Sequence, residues 1–129
     1  MTTTLFVYGT LKRCGSNHQH LAAQQFIGPA RTAPGFTLFN LGAYPGLVAA
    51  PEDSLGVTGE LWSVDLICLK RLDVLEGLAE GMYHRGPIAL SHDSVDTHAT
   101  PSPVIPYAET YFYRRDLFGR PHLGPSWPV

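Results

Sequence analysis

Short apolar runs separated by turn-forming residues dominate the hydrophobic pattern of this chain. Glycine occurs 13 times and proline 11 times, which predicts many short elements and few long helices. The apolar runs are rich in β-branched and aromatic residues, as strands are. They predict strands at residues 5–8, 35–40, 56–64, 86–90 and 109–113. In the third run, Leu61 and Ser63 alternate with Glu60, Trp62 and Val64, so at least one face of that strand must be partly buried.

Residues 65–80 have the period of a helix instead. Leu66, Leu69 and Leu72 recur at three-residue intervals, and Ser63 or Asp65 can cap the start. The glycines at positions 77 and 81 provide places for the helix to end. The sequence therefore predicts one main helix.

Two segments are predicted to lack regular structure. Residues 91–106 are rich in Ser, Thr, His, Asp and Pro, which predicts an exposed loop. The tail, residues 119–129, contains three prolines and two glycines and is expected to lie over the surface, held there by Trp127.

Length and charge limit the classes of protein that this chain can be. Its 129 residues fit a single domain, 1–129, with one core. The hydrophobic share of 44% and the charged share of 16% are those of a folded protein, and a net charge of -2 gives no electrostatic basis for binding nucleic acid. The start lacks the features of a secretory signal, and no apolar run approaches membrane-spanning length. We therefore expect a cytoplasmic protein, a monomer or weak homodimer, that contacts neither membrane nor nucleic acid.

Cysteine and histidine give no sign of a metal site. The two cysteines, Cys14 and Cys68, are too few for a disulfide framework and form no CxxC pair. The six histidines fall on separate predicted loops without the spacing of metal ligands. We predict no metal and no other cofactor.

The turn Tyr8-Gly9-Thr10-Leu11 is the first candidate for a functional site. It follows the apolar run that ends at Val7, and a glycine there permits backbone angles that other residues avoid. Free amide hydrogens at such a turn can hold an anion. The simpler interpretation is an ordinary strand-ending turn, and the tetrapeptide alone does not decide between the two.

Glu76 is the second candidate, because helical spacing puts its carboxylate on the same stripe as Leu69 and Leu72. It could be structural, ending the helix, bonding a neighbouring amide or pairing with Arg71 or Arg85. It could also be a general base, since burial raises the pKa of a carboxylate and makes it a better proton acceptor. Asp73 is the second choice for that role.

The order of these motifs resembles the gamma-glutamylcyclotransferase-like family, including its gamma-glutamylamine cyclotransferase type. The resemblance covers about two thirds of the chain and ends at residues 91–106. Its motifs are Tyr8-Gly9-Thr10-Leu11-Lys12-Arg13-x-Gly15, Tyr44-Pro45-Gly46-Leu47, Gly59-Glu60-Leu61-Trp62, Leu72-Asp73-x-x-Glu76-Gly77 and Tyr83-x-Arg85, with Tyr111-x-Tyr113 as the closing strand.

The resemblance implies an α+β fold, a small mixed β-barrel with one main helix and short flanking helices. It implies an enzyme that converts a gamma-glutamyl amine or peptide into 5-oxoproline and the freed amine without a cofactor. Glu76 matches the family's acid/base glutamate. Residues 8–11 would then hold the substrate's α-carboxylate through the amides of Gly9, Thr10 and Leu11, while Tyr44 and Tyr113 are weaker candidates for contact with the substrate.

Two other functions stay open at this point. A binding module could keep the same cavity without turnover, although it would have no need of a carboxylate on an apolar stripe. A cysteine hydrolase could use Cys14 near His18 or His20, but no orienting partner can be assigned. The identity of the leaving amine is not encoded in any recognisable motif.

Overall fold

The computed structural model describes residues 2–91 and 107–128. Most of the predicted loop at 91–106 therefore lies outside the described residues. The elements are β1 (Thr2–Val7), a short 3-10 helix (His18–Leu21), β2 (Gln25–Arg31), β3 (Phe36–Asn40), β4 (Pro45–Ala49), β5 (Thr58–Asp65), α1 (Leu66–Leu75), β6 (Tyr83–Ala89), β7 (Tyr107–Tyr113) and β8 (His122–Gly124). The predicted α+β class with one main helix is confirmed.

The strands form one mixed sheet in the order β2-β5-β1-β7-β4-β3-β8, and β6, which is outside this order, also pairs with β7. Strand β7 runs parallel to both β1 and β4 and antiparallel to β6. Over the described residues, the sheet is not closed into the continuous barrel that the resemblance implies. In this part of the chain, strands β2 and β6 meet just past their ends, through an isolated bridge between Thr32 and Leu90.

Strand β1 is buried on both faces, so its residues divide between two hydrophobic clusters. Leu5 and Val7 belong to the cluster that includes Cys68, Leu69 and Leu72 of α1. The alternate residues of β1 face the second cluster, which contains Phe6 and Tyr8 together with side chains from β2 to β7. The cluster on the α1 side also supplies one wall of the candidate site, because β1 ends there.

Helix α1 begins where the sequence predicts and ends earlier. The Asp65 carboxylate accepts a hydrogen bond of 2.7 Å from the Cys68 amide, which makes Asp65, not Ser63, the N-cap. The helix ends at Leu75 because Gly77 takes a left-handed conformation with φ +69°. The amides of Gly77 and Leu78 then donate to the carbonyls of Val74 and Asp73, each at 3.1 Å, closing a Schellman motif.

Three strands, β2, β4 and β8, are absent from the sequence prediction. Gly28 and Pro29 interrupt the apolar pattern of β2, yet an edge strand that pairs only with β5 tolerates a proline and a bulge. Strand β4 starts with Pro45-Gly46, which reads as a turn. The tail was expected to be irregular, but it contains strand β8. Trp127 packs against the second cluster, as predicted for its role in holding the tail.

Within residues 2–91 and 107–128, no helix is long and apolar enough to cross a membrane.

Candidate functional site

A cavity of about 240 Å³ opens where the end of β1, the start of β4 and the end of α1 meet. It contains most of the residues that the sequence singled out: the turn at 8–11, Tyr44 and Glu76. Its wall consists of Phe6, Val7, Tyr8, Gly9, Thr10, Leu11, Asn17, Tyr44, Pro45, Leu75, Glu76, Met82, Tyr83 and Tyr111. Among the described residues, this wall contains one carboxylate and no lysine or arginine.

The turn presents backbone donors to this cavity. Within the described residues, none of the amides of Gly9, Thr10 and Leu11 donates a hydrogen bond to a protein acceptor. Gly9 is needed for close packing, because a Cβ there would lie 2.7 Å from Cγ of Pro45. Three adjacent free amides of this kind can bind an anion, which favours the functional interpretation of the turn over an ordinary strand end.

Polar contacts fix the loop that follows the turn. The carboxylate of Glu60 on β5 accepts hydrogen bonds of 3.0 Å from both the amide and Nε of Arg13, and one of 3.2 Å from Nε1 of Trp62. Asn17 binds Thr10 twice, through its amide to the carbonyl at 2.9 Å and through Nδ2 to Oγ1 at 3.0 Å. The free amides are thus held in place before any ligand arrives.

Glu76 lies at the C-cap of α1, and its side chain borders the cavity. Burial raises the pKa of its carboxyl to about 7. Glu76 does stand at the helix end, but the pairing that the sequence offers is not formed, because within residues 2–91 and 107–128 its carboxylate makes no ion pair with Arg71, Arg85 or any other residue. A desolvated carboxylate without a partner, bordering a cavity, has the properties of a general base.

Asp73 is not a second base, because its oxygens are already occupied. Arg85 on β6 binds it twice, Nε to Oδ1 at 3.0 Å and Nη2 to Oδ2 at 3.3 Å, and the Tyr111 hydroxyl donates to Oδ1 at 2.7 Å. The same guanidinium donates to Glu109 of β7 at 3.1 Å. Asp73 lies outside the cavity wall and forms a salt link with Arg85.

Three tyrosine hydroxyls near Glu76 donate to protein acceptors. Tyr8 donates to the Tyr111 carbonyl at 2.6 Å, Tyr83 to the Pro45 carbonyl at 2.8 Å and Tyr111 to Asp73 at 2.7 Å. Burial is the main reason that the pKa of each of these hydroxyls lies above its usual value, and the charge of Glu76 adds to the rise in all three. These hydroxyls therefore stay protonated.

The other two predicted tyrosines have different positions. Tyr44 lines the cavity, and its hydroxyl has no hydrogen-bond partner in the part of the chain that the structure describes. Tyr113 is not among the residues of the cavity wall. It packs over Gly46 and edge-on against the Tyr83 ring, with ring centroids 5.3 Å apart.

Sequence reasoning missed Tyr83, Tyr111 and Asn17 as site residues. Tyr83 and Tyr111 both stand in the recognised motifs, so the signal was present, but only the pairing of β6 with β7 brings them to Glu76. Asn17 carries no motif at all. Cys14 is exposed and outside the cavity wall, and His18 Nδ1 lies 3.1 Å from the Leu11 carbonyl, so the described residues give no support to a cysteine hydrolase.

Comparison with known proteins gives a family match over nearly the whole chain. The family described as "Gamma-glutamyl cyclotransferase, AIG2-like" matches residues 5–127. A Vibrio cholerae protein named "Putative gamma-glutamylcyclotransferase" is 37% identical over 111 residues, covering 86% of this chain and 87% of that protein. The mouse protein named "Gamma-glutamylaminecyclotransferase" is 33% identical over 131 residues, and the match covers 83% of this chain and 87% of the mouse protein. The crystal structure of an AIG2-like protein from mouse matches with a TM-score of 0.68 and 27% identity over 88% of this chain and 77% of that one.

Proposed function

The chain belongs to the gamma-glutamyl cyclotransferase, AIG2-like family, and on that premise we propose that it converts a gamma-glutamyl amine or peptide into 5-oxoproline and the free amine, with Glu76 as the acid/base group. One observation carries the proposal. A desolvated carboxylate without an ion-pair partner shares a small cavity with three amides that donate to no described protein acceptor. A zwitterionic glutamyl head offers an anion for the amides and an ammonium for the carboxylate.

In the reaction, one C–N bond forms, another C–N bond breaks, and the other steps are proton transfers. The α-carboxylate binds to the amides of Gly9, Thr10 and Leu11. The Glu76 carboxylate takes a proton from the α-ammonium, and the freed nitrogen attacks the gamma-carbonyl carbon to form a tetrahedral intermediate. Glu76 returns this proton to the departing nitrogen as its bond to that carbon breaks, and then takes the second proton that the ring nitrogen must lose to become the 5-oxoproline amide. That second proton passes to the released amine, which leaves as an ammonium, and Glu76 is again a carboxylate. No water is consumed.

Two effects account for the rate. A cavity that folds the glutamyl chain back on itself can contribute as much as about 7–11 kcal/mol in well-oriented intramolecular cases. Proton transfer by Glu76 adds about 10²–10⁴-fold, and a pKa of about 7 suits a group that both accepts and returns a proton near neutral pH.

The test is a panel of gamma-glutamyl compounds with different leaving groups, incubated with the purified protein while 5-oxoproline and free amine are both measured. The proposal predicts equal amounts of the two products from at least one compound. Members of the panel that bind but yield no 5-oxoproline at any pH from 6 to 9 would instead point to a binding module that uses the same cavity.

A further inference from the structure

Two parts of the cavity wall differ in their hydrogen-bonding chemistry. The turn, at Gly9, Thr10 and Leu11, presents N–H donors. The same wall contains Glu76 with Tyr83 and Tyr111, two residues that the pairing of β6 with β7 brings together. A tyrosine hydroxyl is normally both donor and acceptor, so the chemistry of this part depends on where the hydroxyl hydrogens point.

The partners of Tyr83 and Tyr111 fix those hydrogens. Tyr83 lies 2.8 Å from the Pro45 carbonyl oxygen, and Tyr111 lies 2.7 Å from Oδ1 of Asp73. A carbonyl oxygen only accepts, and the Asp73 carboxylate also accepts two hydrogen bonds from Arg85, so it is an acceptor for Tyr111 as well. Both hydroxyls must therefore donate away from a ligand, and each oxygen keeps only lone pairs to offer it.

Tyr8 and Tyr44 do not share this property. The Tyr8 hydroxyl donates to the Tyr111 carbonyl and also accepts from the Leu47 amide at 3.3 Å, so both of its functions are used. The Tyr44 hydroxyl has no partner among the described residues and is free to donate or accept. Tyr83 and Tyr111 therefore differ from both, because each is restricted to accepting and its oxygen accepts from no donor among the described residues.

We propose that the Oη atoms of Tyr83 and Tyr111 accept hydrogen bonds from the substrate's α-amino group and position it against Glu76. This inference rests on the proposed function, because it assumes a glutamyl head in the cavity. The count of groups matches: an ammonium has three N–H donors, and Tyr83, Tyr111 and Glu76 supply three acceptors. The α-carboxylate binds the turn amides instead, because the tyrosine oxygens and Glu76 would repel it.

The test is a thermodynamic cycle that combines removal of a tyrosine hydroxyl from the protein with removal of the α-amino group from the ligand. The two probes are L-gamma-glutamyl-propylamide and glutaric acid monopropylamide, which differ only in the α-amino group. Dissociation constants are measured by calorimetry in the Glu76→Gln background, which keeps the first probe intact. Tyr83→Phe and Tyr111→Phe should each reduce the preference for the amino probe by about tenfold, the value of a hydrogen bond to a charged group. Tyr113→Phe, on the same strand as Tyr111 but outside the cavity wall, should leave the preference unchanged.

The ratio of two affinities within one variant cancels any general loss of folded protein. A preference that is unchanged in both Tyr83→Phe and Tyr111→Phe overturns the inference. If neither variant folds, the structure of Glu76→Gln with the amino probe decides, since the α-nitrogen must lie within about 3.2 Å of both Oη atoms. Turnover by the wild type tests the proposed function separately: absence of 5-oxoproline with the tyrosine effect present would reject the reaction and retain the ammonium site.

Discussion

Glu76 illustrates how one residue can combine a cost in stability with a chemical use. Its carboxyl has a pKa of about 7 because burial disfavours the charged form, and the described residues provide no cation to offset that penalty. We interpret this carboxylate, in the same cavity wall as three amides that donate to no described protein acceptor, as a group whose charge the ammonium of a substrate would offset.

The pKa of Glu76 predicts how its replacement changes stability with pH. A carboxyl whose folded pKa is raised stabilises the protein at low pH and loses that contribution as pH rises from its unfolded value toward about 7. Glu76→Gln does not titrate, so its free energy of unfolding should exceed that of the wild type by up to about 3 kcal/mol at pH 8 and by far less at pH 5. Urea unfolding at both pH values measures this. Glu80→Gln, at an exposed site in the following turn, is the control, and a difference that does not vary with pH would contradict the burial of Glu76.

Gly9 tests the amide side of the cavity. Gly9→Ala would place a Cβ 2.7 Å from Cγ of Pro45, so the turn or β4 must shift and the amide positions with it. We expect KM for a gamma-glutamyl substrate to rise about tenfold or more, through the loss of charge-assisted hydrogen bonds to the carboxylate. Gly28→Ala is the matched control, because a Cβ there meets nothing within 4 Å. Equal KM values for the two variants would remove the amides from the binding site.

At the scale of elements, the end of α1 and the strands β6 and β7 act as one unit. Arg85 of β6 joins Asp73 of α1 to Glu109 of β7, and Asp73 in turn orients Tyr111. The Schellman motif at Gly77 stops the helix so that Glu76 turns toward the cavity. The position of the reactive carboxylate therefore depends on how the helix ends.

Comparison of two glycines with similar backbone angles distinguishes the effect of backbone strain on stability from an effect on catalysis. Gly77 and Gly81 have φ +69° and +71°, so alanine at either position should cost about 1–2 kcal/mol of stability. Only at Gly77 would a Cβ meet a neighbour, Cβ of Met82 at 3.2 Å, and only Gly77 adjoins Glu76. We predict similar melting temperatures for Gly77→Ala and Gly81→Ala but lower kcat for Gly77→Ala alone. Matching losses of kcat in both variants would show that the helix end does not position Glu76.

Removal of the Arg85 charge should have a larger effect than removal of either single partner. Arg85→Met leaves Asp73 and Glu109 side by side without a cation, and all three side chains are partly buried. The expected loss is about 2–3 kcal/mol, whereas Glu109→Gln should cost about 1 kcal/mol or less. Urea denaturation gives both values, with exposed Arg71→Met as the control. Similar losses for Arg71→Met and Arg85→Met would mean that the network adds nothing to stability.

At the scale of the whole molecule, the site combines pieces that are distant in sequence. The Glu76 carboxylate, the turn at 8–11 and Pro45 meet because β7 lies parallel to both β1 and β4, while the described edges β2 and β6 approach each other only at Thr32 and Leu90. Free amides, acceptor oxygens and one unpaired carboxylate thus line a single cavity.

Local patterns predicted the parts of this arrangement that depend on local forces. The start of α1 followed from leucine spacing and the Asp65 cap, and Glu76 and the turn followed from motifs. Strand β4 was missed because Pro45-Gly46 resembles a turn, although pairing with β3 and β7 makes it a strand. Tyr111 and Tyr113 could not be told apart in sequence, since only the packing of Tyr113 over Gly46 removes it from the cavity.

The rate of 5-oxoproline formation by Glu76→Gln tests the central claim most directly. Because the variant keeps the volume of the side chain and removes the proton acceptor, turnover should fall at least about 10²-fold at pH 8 while the melting temperature stays equal to or above that of the wild type. Asp73→Asn, whose carboxylate is engaged by Arg85, should be much milder in turnover. A folded Glu76→Gln protein that keeps more than about a tenth of the wild-type rate would contradict the assignment of Glu76 as the base.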